Sequence, residues 1–269
     1  VVERRLLAPG IVADARRAVW LEPQRTLLLA DLHLGFVWVE RQHGALLPLV
    51  DDDAPERISD LLSDYQPERC VFLGDTLHAT AHLNVLEEEF GRLIEHMDGF
   101  CEFSFVLGNH DSRLPDMLIR LGQPVPCVRI GRAGPHTLIH GDTLQATDLM
   151  GHRDPQGWVF YGHEHPAVSL GDGVTTRVKA PSFLIGPQCL VLPAFSRWSA
   201  GMAFGRQALL SRLHPPESFR QALVILGDRL LPVDLTSGEA RPFSSAPPEP
   251  SDHFPYPSPP RHPPDMGSK

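Results

Sequence analysis

The chain has 269 residues, 42% of them hydrophobic and 21% charged, a balance that suits one large globular domain with an ample core. Its formal net charge of −9 excludes broad electrostatic attraction to nucleic acid, so any phosphate contact needs a local cationic feature. No basic segment leads into an apolar stretch at the start and no apolar run approaches roughly 18 residues, so neither an export signal nor a membrane span is expected. Cys70, Cys101, Cys127 and Cys189 show no C-x-x-C spacing and sit mostly in apolar runs. Free thiols and a reducing, cytoplasmic setting follow.

In chain order, residues 1–25 read as an edge of the domain, with one or two short strands between Gly10 and Leu21 and a turn at Pro23-Gln24. Leu27-Leu28-Leu29-Ala30 is an uncharged run of the kind found in strands covered on both faces, and it leads into Asp31-Leu32-His33. Residues 35–50 lack a clear period and read as a loop with a helical piece. From Asp53 a helix is well signalled: Asp53 as cap, Pro55 in the first turn, Ile58, Leu61, Leu62 and Tyr65 as the apolar face, Pro67 as the stop. Val71-Phe72-Leu73 then delivers Gly74-Asp75 and completes a βαβ unit, whose crossover should be right-handed.

A loop over 76–83 carries His78 and His82. Asn84 opens a second helix, with Glu87 placed for a capping box and Val85, Leu86, Phe90, Leu93, Ile94 and Met97 spaced for burial; Gly99 ends it. The strand at 103–107 leads into Gly108-Asn109-His110-Asp111, and a shorter helix spans 112–121 with Gly122 as its stop. Thereafter the pattern is β. Strands over 125–130 and 137–140 are joined by a Gly/Pro turn at 131–135, and the second leads into His140-Gly141. A polar stretch, 142–156, precedes the strand that leads into Gly162-His163-Glu164-His165. A meander over 175–179, 182–185 and 188–191 and a hairpin over 223–235, turning at Gly227-Asp228, complete an α/β domain over 1–241. Residues 242–269 differ: nine of the 27 prolines lie between Pro247 and Pro264 with few aliphatic side chains, the composition of a disordered tail.

Five apolar strands therefore end in Asp31/His33, Asp75, Asn109/His110, His140 and His163/His165. Ligand sites of open α/β sheets lie at the carboxyl ends of strands, so these side chains should share one rim. Alone, each fragment is weak, since D-x-H recurs by chance and a Gly-Asp usually marks a turn. Together they form a chemically complete donor set. Carboxylates, an amide oxygen and imidazoles suit Mn²⁺, Fe or Zn²⁺ better than Ca²⁺, which takes oxygen ligands. Glu164, between two imidazoles, reads as a supporting residue rather than a ligand.

The order D-x-H, G-D, G-N-H-D, H-G, G-H-x-H over about residues 26–195 resembles the calcineurin-like metallophosphoesterase superfamily. The resemblance implies a four-layer sandwich of two mixed β-sheets flanked by helices. It also implies two divalent metal ions, Mn²⁺ foremost, that activate water and clamp phosphate oxygens. Asp31, His33 and His165 would hold the first ion and Asn109, His140 and His163 the second, with Asp75 between them. His110 would face the scissile phosphate without binding metal. Gly74-Asp75-Thr76-Leu77-His78 departs from the serine/threonine phosphatases, in which x-V-D-R-G follows the Gly-Asp, and is similar to the G-D-x-x-H of Mre-type and SbcD-like repair nucleases. His78 would then orient His110 or contact the substrate.

The D-L-H-L-G at 31–35, E-R-x-x-G at 40–44, G-H-E-H-P at 162–166 and L-P-A-F at 192–195 resemble the small ligase-associated phosphodiesterases (PdeM), although Phe36 stands where that group commonly has Lys. The implied function is phosphodiester hydrolysis, on single-stranded DNA or nucleotides, as a DNA-repair nuclease associated with a DNA ligase or helicase. A phosphomonoesterase, a cyclic-nucleotide phosphodiesterase or a non-catalytic scaffold on the same fold are the alternatives.

Overall fold

The structure is a computed structural model that describes residues 1–47, 53–78, 83–123, 125–142, 151, 153–171, 177–199, 201–204, 209–236 and 241–242. The first half runs β1 (Arg4–Ala8), β2 (Ile11–Asp14), β3 (Ala18–Leu21), β4 (Thr26–Leu29), α1 (Phe36–Gln42), α2 (Ala54–Tyr65), β5 (Arg69–Leu73), α3 (Leu83–Met97), β6 (Glu102–Val106), α4 (Leu114–Arg120) and β7 (Cys127–Val128). These strands form one sheet in chain order, antiparallel from β1 to β4 and parallel from β4 to β7.

The second half continues with β8 (Gly131–Ala133), β9 (His136–Leu138), β10 (Val159–Tyr161), β11 (Pro166–Gly171), β12 (Arg177–Gly186), β13 (Cys189–Val191), β14 (Met202–Ala203), β15 (Gln221–Leu226), β16 (Arg229–Asp234) and β17 (Arg241–Pro242). They form a second sheet ordered β17-β16-β15-β12-β13-β10-β9-β8, with β11 paired to β12 and β14 to β11. Its central strand β10 lies parallel to both β9 and β13. The α/β fold of two mixed sheets expected from the sequence is the one observed.

Strand periodicity sorts the core. Leu27, Leu29, Cys70 and Phe72 face α2, α3 and α4, meeting Ile58, Leu61, Phe90, Leu93, Met117 and Leu118. Their neighbours Leu28, Ala30, Val71 and Leu73 point the other way and pack between the sheets on Leu138, Phe160, Phe183 and Leu190. The outer face of the second sheet (Val159, Tyr161, Leu184, Val191, Val224) is covered by Leu213 and Phe219. With both faces buried, the central strands carry no charge beyond Arg69 and Glu102 at the starts of β5 and β6, which is why their remainders read as largely apolar runs.

Several local expectations are corrected. Asp53 precedes α2 but makes no capping hydrogen bond, because its carboxylate pairs with Arg57 at 3.2 Å and Arg197 at 2.6 Å. Glu87 makes an ion pair with Arg120 on α4, in place of the expected capping box. The turn at 131–135 narrows to Gly134-Pro135, since 131–133 form β8 against β9. Residues 177–186 are one strand where two were expected, and β11 had no counterpart in the sequence reading. The loop histidine His82, most of the polar stretch 142–156 and the tail beyond Pro242 lie outside the described residues. The four cysteines are free thiols, as expected. No described helix is long and apolar enough to cross a membrane.

Candidate metal centre

The loops that follow β4 and β5 stay paired beyond the strands. The amide of Asp31 donates to Gly74 O (3.1 Å), that of His33 to Asp75 O (2.9 Å) and that of Leu34 to Thr76 O (2.9 Å). This extension sets the D-x-H and G-D fragments side by side. The loop after β10 joins them through the His163 amide, which donates to the Asp31 carboxylate at 3.0 Å. The loop after β13 joins through Phe195 N–H to Ala30 O (2.7 Å) and Ser196 N–H to Asp31 O (3.1 Å). Close approach demands glycine at two junctions. A Cβ on Gly74, whose φ is +83°, would sit 2.2 Å from His140 Nδ1, and one on Gly162 would sit 2.3 Å from Asp31 Oδ2.

Two donor groups result. Asp31, His33, Asp75 and His165 each offer an atom within 4.8 Å of the others, as do Asp75, His140 and His163, so Asp75 belongs to both groups. Its Oδ2 lies 3.3 Å from His140 Nε2 and 3.8 Å from His33 Nε2, while Oδ1 accepts the His110 amide at 2.9 Å. Asn109 Oδ1 stands 3.2 Å from His140 Nε2. All seven residues expected as ligands therefore converge, from loops spread over more than half the chain.

The imidazoles are oriented from behind. His140 Nδ1–H donates to Leu73 O (3.0 Å), His165 Nδ1 pairs with Ser199 Oγ (2.6 Å), and His33 shares a proton with His78 between their Nδ1 atoms (3.1 Å). Each ring thus presents Nε2 to the cluster, the arrangement by which outer partners fix a ligand's tautomer. His33 Nε2 and His165 Nε2 are 3.0 Å apart. Two nitrogens that share one ion on bonds of about 2.1 Å must lie within roughly 4.2 Å of each other, and this pair does. The donor chemistry and spacing fit a transition-metal pair.

Five of these residues hold left-handed backbone: Asp31 (φ 55°), His33 (48°), Asp75 (45°), His163 (65°) and His165 (41°). Each costs about 1–2 kcal/mol relative to ordinary geometry, and such residues concentrate where loops must aim side chains at a site.

Electrostatics follow the geometry. Burial pushes the Asp31 carboxyl up, but the charges of His165, His140 and His33 outweigh it and hold the pKa below the usual carboxylate range. Asp75 is lowered too, with burial opposed chiefly by its hydrogen bond to His140. Burial drops the His33 pKa to about 3, leaving a neutral ring ready to donate a lone pair. His140 is the opposite case: burial pulls it down, yet the Asp75 hydrogen bond and the charges of Asp31 and Asp75 raise it to about 9. A metal at that ring must displace a proton at neutral pH.

His110 is part-exposed at the mouth, with Nε2 4.0 Å from Asp75 Oδ2 and its Nδ1–H given to the carbonyl oxygen of His78. The His78 and His110 rings lie parallel, 5.5 Å between centroids. They are side by side as expected, but the His78 backbone does the holding while its ring serves His33. Glu164 is buried and accepts the amides of Leu210 (2.9 Å) and Ser211 (2.5 Å). Sequence reasoning missed Asp111, whose buried carboxylate accepts Gly108 N–H (2.9 Å) and Leu77 N–H (3.1 Å) and so ties the loop after β6 to the loop after β5. Its place in G-N-H-D was the available signal. Ser199 was missed as well and carried none. The cluster opens into a cleft of about 670 Å³ lined by His33, Asp75, Asn109, His110, His163 and Met202, among others.

The fold and centre define an α/β two-sheet protein with a carboxylate-imidazole site able to hold a pair of metal ions. Among solved structures, the chain is similar to a nuclease, MPE, from Pseudomonas putida. The TM-score is 0.62 at 22% identity, over 86% of this chain and all of that one. No protein-family model matches the chain, and no curated protein matches it.

Proposed function

We propose that this chain is a dinuclear-metal phosphodiesterase of the calcineurin-like group, nearest the ligase-associated phosphodiesterases and SbcD-like nucleases, acting on single-stranded DNA or nucleotides. The observation that carries the reading is Asp75 Oδ2, which faces the imidazoles of both donor groups. Asp31, His33 and His165 would hold one ion and Asn109, His140 and His163 the other, with Asp75 available to both. Bound ions, Mn²⁺ in preference to Fe or Zn²⁺, would supply acidified water and neutralise charge on the phosphate oxygens. His110 keeps Nε2 free toward the reacting ester because Nδ1 is occupied by the His78 carbonyl. From there it stabilises developing charge or delivers a proton to the leaving oxygen. The similar fold of the P. putida nuclease supports a nucleic-acid substrate. A place in DNA repair beside a ligase or helicase rests on the motifs at 31–35, 40–44, 162–166 and 192–195.

The test is Mn²⁺-loaded protein assayed in parallel on bis-p-nitrophenyl phosphate, p-nitrophenyl phosphate and single-stranded DNA. Diester and DNA should be cleaved faster than the monoester. A faster monoester reaction makes the chain a phosphomonoesterase, and no turnover of any substrate makes it a scaffold.

A further inference from the structure

The loop carrying His163 and His165 also fixes two apolar side chains next to them. The amide of Met202 donates to His165 O at 2.7 Å, which starts β14 against β11. The amides of Leu210 and Ser211 end on the Glu164 carboxylate, a group buried to 1% exposure between the two imidazoles. Met202 and Leu210 both line the cleft, alongside His33, Asp75, Asn109 and His110. Leu210 is 64% exposed, so it is not there to fill the core. Glu164 thus holds the backbone at 210–211 against the loop that carries His163 and His165, which keeps Leu210 beside the cleft. Among the described residues lining the cleft there is no Lys or Arg. What the described part of this wall offers a ligand beside the donor cluster is apolar contact.

We propose that Met202 and Leu210 form a subsite for an uncharged organic substituent of the substrate, a nucleobase or nucleoside flanking the scissile phosphate. The inference rests on the phosphodiesterase reading and narrows it to esters with a neutral organic group on this side. Apolar side chains contact the face of a base in a sequence-tolerant way, as in pockets that take up unstacked nucleotides. Glu164 acts as a positioning residue, through the amides it holds. The net charge of −9 agrees with a site that recruits its substrate by local contacts and not by a long-range field.

The test compares thymidine 5′-(p-nitrophenyl phosphate) with methyl p-nitrophenyl phosphate, which share a leaving group and differ by the nucleoside. In Mn²⁺-loaded Leu210→Ser the KM of the thymidine ester, relative to the methyl ester, should rise about 3- to 10-fold, the scale of losing part of a leucine's contact area. Leu210→Met should restore most of it. An unchanged ratio, or equal loss on both esters, overturns the proposal. A second readout needs no turnover: calorimetric binding of thymidine 5′-monophosphate against inorganic phosphate. The loaded wild type should prefer the nucleotide, and Leu210→Ser should lose that preference. Absence of the preference in the wild type overturns the subsite. Preference without hydrolysis of any ester sinks the phosphodiesterase reading and leaves the subsite standing.

Discussion

Replacing Asp75 with Asn removes one negative charge and keeps the shape, since the amide oxygen can still accept the His110 N–H that Oδ1 receives at 2.9 Å. The cost can be scaled from His140, whose Nε2 lies 3.3 Å from Asp75 Oδ2. Burial depresses that imidazole, yet the carboxylates raise it from 6.5 to about 9, a net of about 3 kcal/mol for one positive charge. Asp75 contributes both a hydrogen bond and a charge against the burial that opposes them, so its share is at least about 2 kcal/mol, and a divalent ion should lose at least about 4 kcal/mol, or about 10³-fold in affinity. Calorimetric titration with Mn²⁺ should show Asp75→Asn losing at least one tight site, and diester turnover should fall with it.

The fold should survive the change. A raised imidazole pKa stabilises the native state fully below pH 6.5 and loses that contribution as pH rises through about 9. In chelator at pH 6 the variant should therefore melt only roughly 4–8 °C below the wild type. Two Mn²⁺ bound at wild-type affinity would refute the assignment of Asp75 to both donor groups.

Four other outcomes are expected. His110→Ala should lower kcat on diesters by about 10²–10⁴. His78→Ala should cost less, because the carbonyl that holds His110 remains, and should act by weakening Mn²⁺ binding about 10- to 100-fold through its partner His33. Buried His136 accepts the Trp158 amide on Nδ1 at 3.1 Å, and burial lowers its pKa. Its contribution is complete above pH 6.5 and lost as pH falls through the lower folded value. The decline of Tm between pH 6.5 and 5 should therefore be shallower in His136→Gln than in the wild type. Truncation before Pro247 should leave Tm and diester turnover nearly unchanged, since that segment has few aliphatic side chains to bury; a large loss of either would mean that it docks on the domain.

The strands that build the centre were legible because burial on both faces leaves a mark: Leu27 to Ala30 and Val71 to Leu73 are uncharged and run into Asp31 and Gly74-Asp75. What was illegible depends on partners that local sequence does not name. Asp53 has the composition of a cap, but two arginines compete for its carboxylate and win. Pro181 reads as a break in β12, yet it stands where the strand changes neighbours, 177–181 pairing with β11 and 182–185 with β15. A proline is tolerated there because no continuous ladder runs past it. Behind the donor side chains the same limit applies. Ser199 reaches His165 across 34 positions, and His140 is held by a backbone carbonyl that any residue at 73 would supply. The left-handed geometry of Asp31, His33, Asp75, His163 and His165 is likewise unwritten in residue type, since Asp and His tolerate it without requiring it. It arises because each loop is pinned on both sides by amides such as those of Asp31, His33 and His163, which leaves the chain no relaxed path between strand end and site. The donor residues could thus be read from the sequence, whereas their aim is a property of the assembled loops.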